Sequence, residues 1–217
     1  MTNDLCKYCF KKLINGKCSC SGDEGNDIIQ GSLPLGTRLN NRYIIGRVIG
    51  QGGFGIAYLG CDEENSNKRV AIKEYFPKDI AGRSAKTRID VLCTNDNERE
   101  HFDSGLARCL REANILAEFG DNESVLSVEN CFNENGTVYL VTRYVEGETL
   151  EKFVKKNGPF SYNEIYRLME PVMKSLVKIH VHGVTHRDIS PDNLILCDGK
   201  LILIDFGSAK DRTYNQN

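Results

Sequence analysis

Near its C-terminal end the chain reads His186-Arg187-Asp188-Ile189-Ser190-Pro191-Asp192-Asn193, and twelve residues after Asn193 comes Asp205-Phe206-Gly207. Two aspartates and an asparagine at this spacing suit chemistry at a phosphate. Phosphoryl transfer asks little covalent work of a protein. It asks for an oriented nucleophile and for metal ions fixed around a concentrated negative charge. Asp188 can accept the proton of an attacking hydroxyl, while Asn193 and Asp205 offer the oxygen ligands that Mg²⁺ prefers. A bare Asp-Phe-Gly is common by chance, but this one directly follows the apolar run Leu201-Ile202-Leu203-Ile204.

Toward the N-terminus, Gly50-Gln51-Gly52-Gly53-Phe54-Gly55 precedes Val70-Ala71-Ile72-Lys73. Glycines without Cβ atoms let backbone N–H groups come close to phosphate oxygens. Alone the pattern is weak, since flexible hairpins and dinucleotide folds share it. A dinucleotide site would need a helix here, whereas Ile56-Ala57-Tyr58-Leu59 reads as strand. Lys73 ends its own apolar strand, where a lysine is most often a solvated surface residue. The four motifs together, in this order, are far more specific than any one of them. The chain resembles a eukaryotic-like protein kinase. The wording His-Arg-Asp-Ile-Ser-Pro-Asp-Asn, together with Ile72-Lys73-Glu74-Tyr75-Phe76-Pro77, is similar to a bacterial serine/threonine branch.

That resemblance implies roles for particular residues. Asp188 becomes the catalytic base, with Asn193 and Asp205 as Mg²⁺ ligands. Lys73 reaches the ATP phosphates and pairs with a helix glutamate, for which Glu112 sits best in the helical frame, with Glu98, Glu100 and Glu118 as rivals. ATP would be held by Gly50, Gln51, Gly52, Gly53, Phe54, Gly55, Ala57, Ala71 and Lys73. Thr142 takes the gatekeeper position, and Val145 is the expected backbone partner of adenine. His186 is expected to pack rather than to act as a base. One departure stands out: kinases of this class usually carry a lysine two residues after the aspartate, and this chain has Ser190. Losing that cation would cost a few kcal/mol of transition-state stabilisation if uncompensated, roughly the worth of one such donor. The segment from Lys73 to Glu112 is longer than usual, and the sequence assigns Arg83 to Asn97 no role.

The chain has 217 residues, 40% apolar and 27% charged, with a formal charge of −2. This is an ordinary globular composition, with no electrostatic reason to expect nucleic acid as a partner. No apolar run is long enough to span a bilayer, and the N-terminus lacks the features of a secretory signal. A cytoplasmic location is expected. Of nine cysteines, Cys6, Cys9, Cys18 and Cys20 cluster at the N-terminus, while Cys61, Cys93, Cys109, Cys131 and Cys197 are scattered. In a reducing compartment the cluster reads as a closed structural Zn²⁺ site, with Asn15-Gly16 as a turn, and the rest as small apolar fillers. A disordered tail and a redox pair are the plainer alternatives.

The expected fold is α+β: a two-lobed, protein-kinase-like architecture with a β-rich N-lobe, an incomplete helical C-lobe and a small four-cysteine head. The divisions are 1–20 for the head, 21–42 for a linker, and 43–217 for the kinase domain, split at 145/146. Strands are expected at 43–49, 56–61 and 70–74, a helix over 101–119, and a hairpin of 125–132 with 137–142 around Asn135-Gly136. Ser161 and Glu164 form a capping box before a long helix through Ile165, Leu168, Val172, Leu176 and Ile179, which Pro171 should kink. Short strands are expected at 194–196 and 201–204. The resemblance runs from Tyr43 to about Lys210, short of the family's Ala-Pro-Glu motif and later helices. The long helix should therefore leave its apolar face partly exposed. A serine/threonine kinase acting on protein substrates is the leading function. A catalytically impaired scaffold, binding partners through the four-cysteine head or the exposed C-lobe, is the alternative, and a small-molecule phosphotransferase comes third.

Overall fold

The structure, a computed structural model, describes residues 4–20, 29–117, 123–182, 184–204 and 210–211. The chain forms two compact units: Met1–Leu110 with Asn130–Tyr144, and Arg111–Glu129 with Val145–Asn217.

The first unit is built on a six-stranded sheet. Its strands are β1 (Arg38–Leu39), β2 (Tyr43–Gln51), β3 (Gly55–Asp62), β4 (Lys68–Tyr75), β7 (Val128–Glu134) and β8 (Thr137–Arg143), in the spatial order β1-β2-β3-β4-β8-β7. A separate hairpin, β5 (Ala81–Arg83) with β6 (Val91–Cys93), lies between β4 and helix α1 (Arg99–Ala117). β2 runs further than expected, pairing Gly50 with Ala57 and Gln51 with Ile56. The glycine stretch is therefore a tight turn, closed by a hydrogen bond from the Gly52 N–H to the Gly55 carbonyl. Between β7 and β8, Asn135 and Gly136 both take positive φ (52° and 73°), as a type I′ turn requires.

Alternation along β4 sorts its side chains onto two faces. Val70, Ile72 and Glu74 are buried on one, and Ala71 and Lys73 sit half-buried on the other. The main apolar core joins Ile45, Tyr58, Val70, Ile72, Tyr139 and Val141 to Leu33, Leu39, Ala81 and Val91. Leu33 and Leu39 belong to the stretch read as a linker, and Leu39 is fully buried. The β5–β6 hairpin, which overlaps the stretch without an assigned role, adds Ala81 and Val91 to that cover, and Phe102 of α1 joins them. It docks on the β7–β8 turn through the Val91 N–H, which donates to the Asn135 carbonyl.

The cysteine head packs on the sheet as well. Cys9 and Phe10 are buried with Leu59 and Cys61, against Ile44 and Tyr144. Phe10 lies over Gly46, and the Arg47 N–H donates to the Tyr8 carbonyl.

The second unit holds a three-stranded sheet of β9 (Glu148–Thr149), β11 (Leu194–Cys197) and β12 (Lys200–Leu203), with β11 in the middle. With it go helices α2 (Leu150–Asn157) and α3 (Tyr162–Val181), and a short pair, β10 (Val184–Thr185) with β13 (Lys210–Asp211). Thr149 caps α2 and Ser161 caps α3 in a reciprocal capping box with Glu164. Pro171 lies inside α3 without ending it. Val172, Leu176 and Ile179 are buried, and α3 packs against β12. The apolar side chains that α3 leaves exposed form another stripe: Tyr162, Tyr166, Met173, Val177 and Val181. On the face named from the sequence, Ile165 and Leu168 are half-buried, so that face is partly exposed near the start of α3, and the helix carries a second apolar stripe in solvent.

Candidate active site

In the second unit, the loop after β10 is shaped by bonds among its own residues. His186 is fully buried, and its Nδ1 accepts the Asp188 N–H at 3.3 Å. With Nδ1 an acceptor, the neutral ring carries its proton on Nε2. Between these two residues Arg187 takes φ 68°. This is a left-handed conformation that a side chain adopts only when its surroundings impose it. It turns the next residue outward, so that Asp188 is exposed.

Asn193, at the end of the one-turn helix Pro191–Asn193, reaches back to that aspartate. Its Nδ2 donates to the Asp188 carbonyl at 3.0 Å and to Oδ2 at 3.1 Å. Its N–H donates to the Ser190 carbonyl, and its own carbonyl accepts the Ile204 N–H at 2.9 Å. The residue just before Asp205 is thereby tied to Asn193. Asp205 itself, with Phe206 and Gly207, lies outside the described residues.

In the first unit, the nucleotide-contact candidates gather on one sheet face. Ala57 stands opposite Lys73, and Lys73 opposite Leu140. In the neighbouring row Leu59, Ala71 and Thr142 stand opposite one another. Residues paired this way across a sheet share a face. Gly50, Gln51, Gly52, Gly53 and Phe54 are exposed at the turn above them, and Phe54 is 61% exposed. Gly55 needs its missing side chain: a Cβ there would collide with the Glu74 carbonyl and touch the Lys73 side chain. Val145, in the second unit, packs with Leu126 and Ile202. Glu112 falls within α1, but its side chain lies outside the described residues.

The family model described as the protein kinase domain matches residues 43–217. The chain belongs to the protein kinase family. Among curated kinases it is 30% identical over 187 residues to serine/threonine-protein kinase F of Synechocystis sp., covering 81% of this chain and 35% of that one. It is 32% identical over 176 residues to serine/threonine-protein kinase PrkC of Bacillus subtilis, covering 81% of this chain and 24% of that one. The chain thus spans about a third or less of these relatives. Among solved structures it is similar to the one described as "PpkA-294 apo form". The TM-score is 0.75 at 34% identity, over 82% of this chain and 63% of that one. The two-lobed kinase fold expected from the motifs is therefore the fold of this chain.

The kinase carries two further clusters. Cys6, Cys9, Cys18 and Cys20 bring all four sulfurs within 4.8 Å of one another. Cys9 and Cys18 Sγ are 3.3 Å apart, Cys6 and Cys20 Sγ 3.6 Å. A tetrahedral Zn²⁺ with bonds of about 2.3 Å holds its sulfurs about 3.8 Å apart, so the set fits the ion. Hydrogen bonds from the Cys20 thiol and N–H lower the Cys18 thiol to about 7. Burial raises the Cys9 thiol.

The second cluster was not expected from the sequence. Glu74, fully buried beside Lys73, accepts hydrogen bonds from Tyr58, Tyr139 and Arg83. Burial, and then the Glu74 carboxylate, push both phenols above their usual range. They therefore remain donors at neutral pH. A signal was available: Glu74 shares the parity of the apolar Val70 and Ile72, which puts a carboxylate on a buried face.

Proposed function

We propose that this kinase transfers the γ-phosphate of ATP to serine or threonine hydroxyls of proteins, with Asp188 as the general base. The observation that carries the reading is the Asp188–Asn193 pair. Because Nδ2 of Asn193 is spent on the aspartate, its amide oxygen is the atom left to face a cation. That amide also fixes one carboxylate oxygen of Asp188, which orients the other toward an incoming hydroxyl. Mg²⁺, when bound by Asn193 and Asp205, supplies neutralisation of the phosphate charge. Lys73, on the sheet face with Ala57, Ala71 and Thr142, would grip the phosphates. The exposed glycine turn offers them its N–H groups. Ser190 supplies no cation near Asp188, so charge neutralisation falls more heavily on the metal and on Lys73.

The four-cysteine head is proposed to hold a structural Zn²⁺, since four thiolates close the coordination sphere and leave no open position for catalysis. Among the described residues no cysteine is joined in a disulfide, which suits the reducing cytoplasm proposed for this chain. Among the described residues no helix is long and apolar enough to cross a membrane.

The test is transfer from Mg-ATP to a generic protein substrate and to the chain itself. Transfer should fall about a thousandfold in Asp188→Asn, within the usual worth of a general base. Binding of Mg-ATP without any transfer by the unaltered chain would replace this reading with a nucleotide-binding scaffold. For the head, elemental analysis should find about one zinc per chain, lost in Cys9→Ser.

A further inference from the structure

Three consecutive residues after Lys73 anchor three different segments. The Glu74 carboxylate accepts from Tyr58 at 2.7 Å, Tyr139 at 3.0 Å, and Arg83 at 2.7 and 2.8 Å. Tyr75 packs against Phe102 and Gly105 of α1, with the Tyr75 and Phe102 ring centroids 5.4 Å apart. The Phe76 ring lies against Gly31, under the Arg83 guanidinium at 5.0 Å. The backbone beyond turns back to the glycine loop: the Phe76 N–H donates to the Phe54 carbonyl at 3.0 Å, and the Lys78 N–H to the Gly53 carbonyl at 3.3 Å.

Arg83 is the hub. Its Nε and Nη2 donate to the Gly31 carbonyl, its Nη1 to the Ile89 carbonyl, and Nη1 and Nη2 to the two oxygens of Glu74. Each of the guanidinium's N–H groups thus has a carbonyl or carboxylate acceptor. Each Glu74 oxygen, in turn, takes one nitrogen of Arg83 and one tyrosine hydroxyl. A buried network with all its members satisfied admits one geometry and resists distortion.

We propose that Arg83 is a positioning residue for the phosphate-binding parts of this kinase. Held in the β5–β6 hairpin, it fixes the end of β4 that presents Lys73 on the opposite face. It also fixes the Phe76 peptide that tethers the glycine turn. Resting on the kinase reading above, this gives the long segment between Lys73 and α1 a purpose. It brings a planar, five-donor cation to a buried carboxylate, a fit that a lysine could not reproduce.

The test compares Mg-ATP and adenosine binding by calorimetry in the full chain and in Arg83→Lys, which keeps the charge but loses the fork. Adenosine lacks the phosphates. A purely structural loss would weaken both ligands alike, whereas a positioning role weakens Mg-ATP alone. The expected result is Mg-ATP affinity down about tenfold with adenosine affinity within about twofold of the original. In parallel, hydrogen exchange without nucleotide should show the Phe76 and Lys78 amides opening about tenfold more often. A folded Arg83→Lys chain with an unchanged ratio of the two affinities and unchanged exchange at both amides overturns the proposal. Should Arg83→Lys fail to fold, Tyr139→Phe removes the hydroxyl's bond to Glu74, and the Asn135 Nδ2 bond to that hydroxyl, without touching the network's charges. It is expected to shift the same readouts in the same direction by a smaller factor, and no shift there would overturn the proposal equally. An unaltered chain that binds neither ligand refutes the kinase reading instead. The exchange comparison still decides the tether.

Discussion

The two groups at the centre of the proposed chemistry are held by opposite strategies. Asp188 is set mostly by its near neighbours: His186, Ser190 and Asn193 bond within its own loop, and Ile204, just past β12, holds Asn193 from outside it. Lys73 depends instead on what lies behind its strand. There Gly31, Tyr58, Arg83, Ile89 and Tyr139 converge on Glu74, or on the arginine that pairs with it. A loop secured locally can be damaged without unfolding anything. A strand secured from the buried side cannot be loosened without a cost in stability. Chemistry and stability are thus separable in one unit and joined in the other.

Breaking the local arrangement should give the largest effect. Asn193→Ala removes both the proposed metal ligand and the amide that orients Asp188. It should lower kcat about a hundredfold or more, while the thermal midpoint stays near that of the unaltered chain. Removing one hydroxyl from the buried network should show the reverse. Tyr139→Phe takes a hydrogen bond from a buried carboxylate and should cost about 2 kcal/mol in denaturant unfolding. Adding Tyr58→Phe should cost an amount that does not simply sum, because both hydroxyls serve Glu74. The smallest effect belongs to Ser161→Ala, which removes a cap on the exposed start of α3. It should lower stability by about 1 kcal/mol and leave transfer untouched. A large loss of activity there would sink the idea that the second unit keeps chemistry and stability apart.

The same contrast explains what could be read from the sequence. The Asp188 loop was legible because most of its contacts, the Ile204 bond to Asn193 aside, lie within a few residues, so motif and geometry nearly coincide. The glycine turn, the β7–β8 hairpin at Asn135-Gly136 and the capping box at Ser161 were legible for the same reason. The Arg83–Glu74 pair was not. Parity alone puts Glu74 on the buried side of β4, but nothing local says that its cation comes from a hairpin after the strand. Leu33 and Leu39 were hidden by their setting among Gly, Ser, Asp and Asn, a composition that reads as linker although both leucines are core. On α3, the exposed stripe was overlooked because the buried one already accounted for the helix.

The burial of Phe10, Leu33 and Leu39 has a practical consequence for anyone shortening this polypeptide. The recognisable kinase begins at Tyr43, yet a version trimmed to that residue would strip the cover from Leu59 and Cys61 and open the core around Ile45 and Tyr58. Such a fragment should emerge from expression as sticky, poorly soluble material. What family membership recognises is smaller than what must fold.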